Sequence, residues 1–535
     1  MSLTLEQAVG QRLMLSFMGP MPSAEILATV RRQHIGGVTL FRAHNVENAG
    51  QVRALTAALQ RAALEADQPP LLIGVDQEGG TLMALPDATP FPGNLALGAA
   101  ASPDLARRAG HAMGRELAAL GINVNYAPVC DVILNAENPV VGTRSFGGDA
   151  AQVAELSAAM VEGLQAAGVA ATAKHFPGHG DTAMDSHHGT PIVPHGVERL
   201  RRVELLPFVA AVQAGVKLVM TAHVALPALT GRADLPATLS PAVLRGLLRG
   251  ELGFAGVIIS DALDMQAIRQ GAGFALDAVA AALAGADLLT LNAHLPEHRD
   301  VYQPLLQAAE RAVLPAGEVH ASAARVLALK AWCAQVSPPP LEAVGCAEHQ
   351  ALARQIAARA LTLVRDDNHL LPLRLDAGSR LAVVLPAPAD LTPADTSSYV
   401  RPALAPALRA LGAAVDEYVT PLNPLEAESI ALAEALRDHG YTAIIACTLN
   451  ARDHPGQAVL VNALLHGGVP TVAAAVRMPY DLLAYPTAPA YLCAYSILPP
   501  AMEALAQAIL GQLPFSGRLP VALPLLSDPA PAVLR

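Results

Sequence analysis

The run G-V-A-A-T-A-K-H-F-P-G-H-G-D-T-A-M-D-S-H-H-G-T, residues 168–190, decides how the chain is read. Its first part, 168–173, is an apolar stretch of the kind that ends a buried strand. The remainder, 174–190, is too rich in Gly, Pro, His and Asp for helix or strand, yet it gathers four His, two Asp and a Lys. Such backbone contributes little to a packed core, so titratable groups crowded at the end of a strand point to a site. One His taken alone is explained as well by a polar turn whose side chains cap one another. The whole cluster is not.

The same grammar recurs on either side. Short apolar or β-branched runs at 13–18, 35–41, 71–76, 122–127, 169–175, 218–223, 257–261 and 287–291 read as strands. Between them, 103–119, 151–166, 241–249 and 275–284 carry apolar residues three and four apart and read as helices. Eight β-then-α units predict a (β/α)₈ TIM barrel. A doubly wound sheet competes less well, because no Gly-rich phosphate-binding turn follows the first strand. Asp76-Gln77-Glu78, Asp131, Lys174-His175, His223 and Asp261 each fall at or just after the C-terminal end of a strand-like run. Barrel active sites are assembled at that face.

Ser337-Pro338-Pro339-Pro340 cannot continue a helix. The reading is therefore a catalytic barrel over 1–335, a Pro-rich linker over 336–350 and a smaller layered α/β sandwich domain over 351–535. In the last, strands are expected at 361–364, 381–385, 442–447, 471–476 and 491–495, with a helical stretch at 424–436.

The 535 residues are 53% apolar and 15% charged, and the net charge of −11 comes without an acidic or basic block. That pattern argues against nucleic acid or a membrane as partner and favours a neutral or weakly charged small molecule. No apolar run reaches transmembrane length, and the first ten residues lack the basic and apolar regions of a signal peptide. Five Cys, at 130, 333, 346, 447 and 493, form no C-x-x-C pair. A reducing, cytoplasmic setting is the expectation. With 4% aromatic residues, a groove lined by rings for long polysaccharides is not expected.

Three constellations could carry chemistry. Asp261 ends the run 257–260, where a carboxylate can act as nucleophile, stabilise positive charge, or cap the next helix. Asp185 and His187 are two apart in an extended loop, so they point the same way. The carboxylate can then fix the imidazole tautomer and leave the other ring nitrogen to move a proton. His175, His179, Asp181, Asp185, His187 and His188 have ligand-like identities. His175 and His179 flank Phe-Pro-Gly, however, and do not share a helical face as a metallohydrolase motif needs. No metal and no cofactor are expected.

On these residues the chain resembles the family 3 glycoside hydrolases, in particular their β-N-acetylglucosaminidase branch. The likeness covers nearly the whole chain: V-D-Q-E-G-G at 75–80, N-P-V-V-G-T-R-S-F-G at 138–147, the loop 174–187, M-T-A-H-V at 220–224 and S-D-A-L-D-M at 260–265. Ala262 follows Asp261 where the β-glucosidase branch typically has Trp, which favours the aminosugar branch. The resemblance implies a retaining mechanism in which Asp261 attacks the anomeric carbon and His187, oriented by Asp185, serves as acid and base. It also implies that Asp76, Arg144, Lys174 and His175 bind the hydroxyls of a terminal N-acetylglucosamine, with His179 and Asp181 shaping the loop. Many relatives place Arg and another basic residue after G-G; here Thr81-Leu82-Met83-Ala84 stands instead. The closing G-R-L-P-V-A-L-P at 517–524 resembles the end of two-domain members, and no catalytic residue is assigned to that domain. The expected substrate is a small N-acetylglucosaminide such as a cell-wall muropeptide fragment. A phosphorylase on the same fold and a non-catalytic N-acetylglucosamine-binding protein are the alternatives.

Overall fold

Each of the eight strand-like runs of the first 330 residues forms a strand; seven are shorter than the run that encodes them, and the fifth, Ala170–Phe176, is shifted onward by one residue. The computed structural model describes residues 3–186, 189–268, 273–292 and 295–524, with backbone alone for 295–300. The strands are β1 (Leu13–Leu15), β2 (Gly37–Thr39), β3 (Leu72–Val75), β4 (Val124–Asn125), β5 (Ala170–Phe176), β6 (Leu218–Thr221), β7 (Val257–Ser260) and β8 (Leu289–Thr290). They pair in parallel in chain order, β8 lies beside β1, and a parallel bridge between Ile259 and Leu288 brings β7 to β8. The ring is a TIM barrel.

Both faces of the ring are buried, which is why its strands read as continuous apolar runs rather than alternating ones. Met14, Leu72, Val124, Ala170, Leu218, Met220, Val257 and Ile259 form the inner cluster. Their neighbours Leu13, Leu15, Ile73, Val219 and Ile258 pack outward against the helices. Val326, Leu329 and Cys333 of the helix Ala316–Cys333 join the inner cluster. That helix sits at the strand-start end, since Lys330 Nζ donates to Gln11 Oε1 at 2.7 Å and Cys333 Sγ lies 3.6 Å from the Asn123 carbonyl. The opposite end stays open for a site.

Helix Ala347–Ala360 leads into the second sheet, and its residues Leu352, Ala353 and Ile356 belong to the barrel's own core. The sheet contains β9 (Thr362–Asp366), β10 (Arg380–Pro386), β11 (Ala414–Thr420), β12 (Ala443–Thr448), β13 (Thr471–Ala475) and β14 (Ala490–Cys493). Its order is β9-β14-β13-β12-β10-β11, with β9 antiparallel to β14 and the other pairs parallel. Helices on both faces make it a layered α/β domain. Sequence reading missed β11, an edge strand whose A-V-D-E-Y-V-T is largely half-exposed and so lacks the apolar run that marked the others. It also missed the hairpin that pairs Gln77–Gly79 with Leu82–Met83, just after β3.

The two domains share side chains. Leu95, Ala96, Ala99 and Ile133 of the barrel half pack in one cluster with Tyr480, Tyr485 and Tyr491 of the second domain. At the rim, Thr396 N–H donates to the Thr81 carbonyl at 2.7 Å and its Oγ1 accepts from Met83 N–H at 3.1 Å. The hairpin that replaces the expected basic segment is therefore tied to the second domain.

Candidate active site

A cavity of about 480 Å³ opens at the C-terminal ends of the barrel strands. Asp76 enters it just beyond β3, Lys174 and His175 from the end of β5, and Asp261 just beyond β7. Arg144 enters from the short helical turn Gly142–Arg144. The five side chains come from four separate stretches of the sequence and meet because the ring closes.

Four charges are set against one another on one wall. Lys174 Nζ lies 2.5 Å from Asp76 Oδ1 and 2.7 Å from Glu78 Oε1. Arg144 grips the same Glu78 with two parallel bonds, Nη2 to Oε1 at 2.8 Å and Nε to Oε2 at 2.9 Å. Burial alone would raise the Glu78 carboxyl, but Arg144 and Lys174 outweigh it and hold it down at about 2. Burial likewise disfavours the Lys174 ammonium, and Asp76 and Glu78 override it, so its affinity for the proton is raised. A buried group of two cations and two carboxylates keeps its geometry because every charge has a partner. Glu78 was quoted in the motif but not singled out. The signal was present, since Asp76 and Glu78 are two apart in extended chain and point the same way.

Asp131 organises the second wall. It is fully buried, accepting at Oδ2 from His175 Nδ1 at 2.8 Å and at Oδ1 from His179 N–H at 2.7 Å. Burial would raise this carboxyl too, and His175 with His179 pulls it below its ordinary value. The bond at Nδ1 orients the His175 ring, whose Nε2 edge is left for the cavity. His179 is held from every side: Nδ1 meets Thr182 Oγ1 at 2.7 Å and Nε2 meets Ser186 Oγ at 3.3 Å. Burial lowers its affinity for the proton, so it serves as a neutral brace of the loop. Asn138 of the N-P-V-V segment adds a clamp, donating Nδ2 to the carbonyls of His179 at 2.8 Å and Thr182 at 3.0 Å.

Asp261 lines the cavity, and its Oδ1 accepts from Ala262 N–H at 2.8 Å. His223 does not reach the cavity. It is fully buried between Thr238 Oγ1 at 2.8 Å and the Ala262 carbonyl at 2.9 Å, and so fixes the backbone that follows Asp261. Asp185 is buried beside the cavity rather than lining it. His187 lies outside the described residues, as does His188. Their neighbours are placed: Ser186 lines the cavity, its carbonyl accepts from Ala267 N–H at 3.2 Å, and Thr190 Oγ1 donates to the Ala267 carbonyl at 3.2 Å. Both flanks of His187 are thus fastened to the segment that follows Asp261.

Ligand-type side chains also gather at the root of the loop, where Asp181, His195 and Glu204 could between them hold an ion. Arg199 already supplies a cation there, 3.1 Å from Glu204 and 3.8 Å from Asp181. None of the three ligand-type side chains lines the cavity.

Residues 4–329 match the glycosyl hydrolase family 3 N-terminal domain. The chain belongs to glycosyl hydrolase family 3. Among curated relatives of this family 3 chain, a β-N-acetylglucosaminidase/β-glucosidase of Cellulomonas fimi is 32% identical over 522 residues, 92% of this chain and 89% of that one. The β-hexosaminidase A of Pseudoalteromonas piscicida is 36% identical over 416 residues, 70% of this chain and 69% of the relative. The solved structure of a family 3 β-N-acetylglucosaminidase from Paenibacillus sp. str. FPU-7 superposes with a TM-score of 0.91 at 40% identity, covering 97% of this chain and 99% of that one. A β-glucoside phosphorylase shares the fold at 24% identity and a TM-score of 0.83. Among the described residues no helix is long and apolar enough to cross a membrane.

Proposed function

We propose that this family 3 hydrolase is a retaining exo-β-N-acetylglucosaminidase that removes a terminal N-acetylglucosamine, with muropeptide fragments as the substrate class. The observation that carries the reading is the sharing of one cavity by Asp261, by Ser186 next to His187, and by Asp76, Arg144, Lys174 and His175. The names of the relatives support the sugar. Asp76 and His175 present acceptor and donor edges to hydroxyls, while Arg144 and Lys174, held by Glu78, donate to them.

In the reaction, Asp261 attacks the anomeric carbon through an oxocarbenium-like transition state. The C–O bond to the leaving group breaks as the glycosyl ester forms. His187, oriented by Asp185, gives its proton to the departing oxygen, and the neutral imidazole then takes a proton from the water that cleaves the ester. The acceptor is water in this reading, and formation of N-acetylglucosamine 1-phosphate in phosphate buffer would replace hydrolysis with phosphorolysis.

The test separates leaving groups. Nitrophenolate departs without a proton, whereas an alkoxide does not. His187→Ala should therefore slow glycosyl-ester formation from an alkyl N-acetyl-β-glucosaminide on the order of 10²-fold or more, and far less from the nitrophenyl one. Equal losses for the two substrates in single-turnover measurements would refute the acid role.

A further inference from the structure

One cation in the cavity wall forms no ion pair with a carboxylate among the described residues. Arg144 is matched by Glu78, and Lys174 by Asp76 and Glu78. Arg42, at the start of the short helix Arg42–Asn45 after β2, lines the same cavity. Its guanidinium donates once, from Nη1 to the Met83 carbonyl at 3.0 Å, and lies 4.3 Å from the ring centre of Tyr399 in the second domain. Asp390 also lines the mouth and attracts the Arg42 charge without touching it, while its two oxygens accept from Ser398 N–H and Oγ at 2.7 Å each. Among the described residues no carboxylate forms an ion pair with Arg42. Asp395, a neighbouring acid on the same loop, is taken by Arg477 at 2.8 Å.

We propose that Arg42, braced by Tyr399 and the Met83 carbonyl, forms an anion-binding subsite for the leaving group, so that the preferred substrate carries a carboxylate on the part that departs. This deepens the reading of the cavity as an N-acetylglucosaminidase site and rests on it. A partly buried arginine whose fork no carboxylate contacts gains from an anionic ligand, because a charge-assisted pair is stronger than a neutral hydrogen bond. The planar fork has unused N–H groups on its Nε and Nη2 side, suited to two carboxylate oxygens. Stacking on Tyr399 restricts the fork without consuming those donors. Tyr399 is itself 53% exposed, so a leaving group seated here continues into solvent and can be large.

The experiment compares kcat/KM for a carboxyphenyl and the matching carboxamidophenyl N-acetyl-β-glucosaminide, in the wild type, Arg42→Gln and Arg42→Lys. The wild type is expected to favour the carboxylate about tenfold, the scale of one hydrogen bond to a charged group. Arg42→Gln should bring the ratio to about one. Arg42→Lys should retain part of it, and added salt should shrink it in the wild type. A wild-type ratio near one, or a ratio that survives Arg42→Gln, overturns the subsite, as does an equal fall for both substrates. If phosphate instead yields an Arg42-dependent sugar 1-phosphate, the anion is the acceptor and the leaving-group assignment is overturned. Failure to cleave either glycoside would sink the sugar reading itself, which keeps the two outcomes apart.

Discussion

Glu78 shows how a single side chain sets the character of the site. It touches no open space, yet it accepts from both Arg144 and Lys174, the two cations proposed to hold the sugar. Removing its charge leaves two buried cations facing Asp76 alone, so Glu78→Gln should cost about 3–5 kcal/mol of stability. The same carboxyl predicts a pH dependence. Because Arg144 and Lys174 overcome burial and hold it at about 2, below its ordinary 4.5, the folded state binds fewer protons than the unfolded one between those values. Its contribution is complete above roughly pH 4.5 and is lost as pH falls through about 2. Urea midpoints measured at pH 6, 4 and 3 should fall for the wild type, with that portion of the fall absent in Glu78→Gln. Asp76, Arg144, Lys174, His175 and Asp261 were legible in sequence because each ends a strand-like run or sits in a quoted motif. The partners that hold them were less so. Asp131 was visible as a strand-end acid, but its double duty toward His175 and His179 follows from loop geometry that no spacing encodes.

The His-rich segment is a braced element rather than a free flap over the part that is described. Asp131, Asn138, Thr182 and Ser186 hold it from within, and His195 holds Asp181 at 2.5 Å from the chain that follows. Its glycines make the close approach possible. A Cβ at Gly180 would stand 2.1 Å from the Val132 carbonyl oxygen and 2.5 Å from its carbon, both backbone atoms that cannot swing aside. Gly180→Ala should therefore push the loop off the Asp131 segment, costing about 1–3 kcal/mol. Under the proposed mechanism it should also lower kcat on alkyl substrates more than on nitrophenyl ones. Denaturation curves and the two rate constants check this, and unchanged values would show that the loop tolerates the displacement. The strands and the helix Pro103–Ala119 were legible to within a few residues, because apolar runs mark the strands and apolar residues three and four apart mark the helix. The edge strand Ala414–Thr420 was not, since one-sided burial of a short polar strand leaves no apolar run to read.

At the scale of the whole molecule, the barrel and the second sheet do not read as beads on a linker. Leu95, Ala96, Ala99 and Ile133 bury themselves among tyrosines of the second domain, and Thr396 zips onto the Thr81–Met83 hairpin at the cavity rim. A chain ended after Cys333 would expose that apolar face and remove the loop bearing Asp390 and Tyr399 from the cavity mouth. Calorimetry on the full chain should show one cooperative transition. The truncated barrel should unfold at lower temperature and associate in solution. Two well-separated transitions in the intact protein would contradict the shared core. The Pro-rich break at 337–340 was read as a linker between units, but a break in the chain says nothing about whether the residues on either side bury surface against each other.

The central claim is that Asp261 forms a bond to the sugar. It is tested most directly with a 5-fluoro-N-acetylglucosaminyl fluoride, whose ring fluorine slows both steps while fluoride leaves readily. Peptide mapping of the inactivated protein should find one sugar residue attached through the side chain of Asp261, and Asp261→Asn should remain unlabelled. Label on another residue, or turnover of the fluoride with inverted configuration and no adduct, would contradict the account.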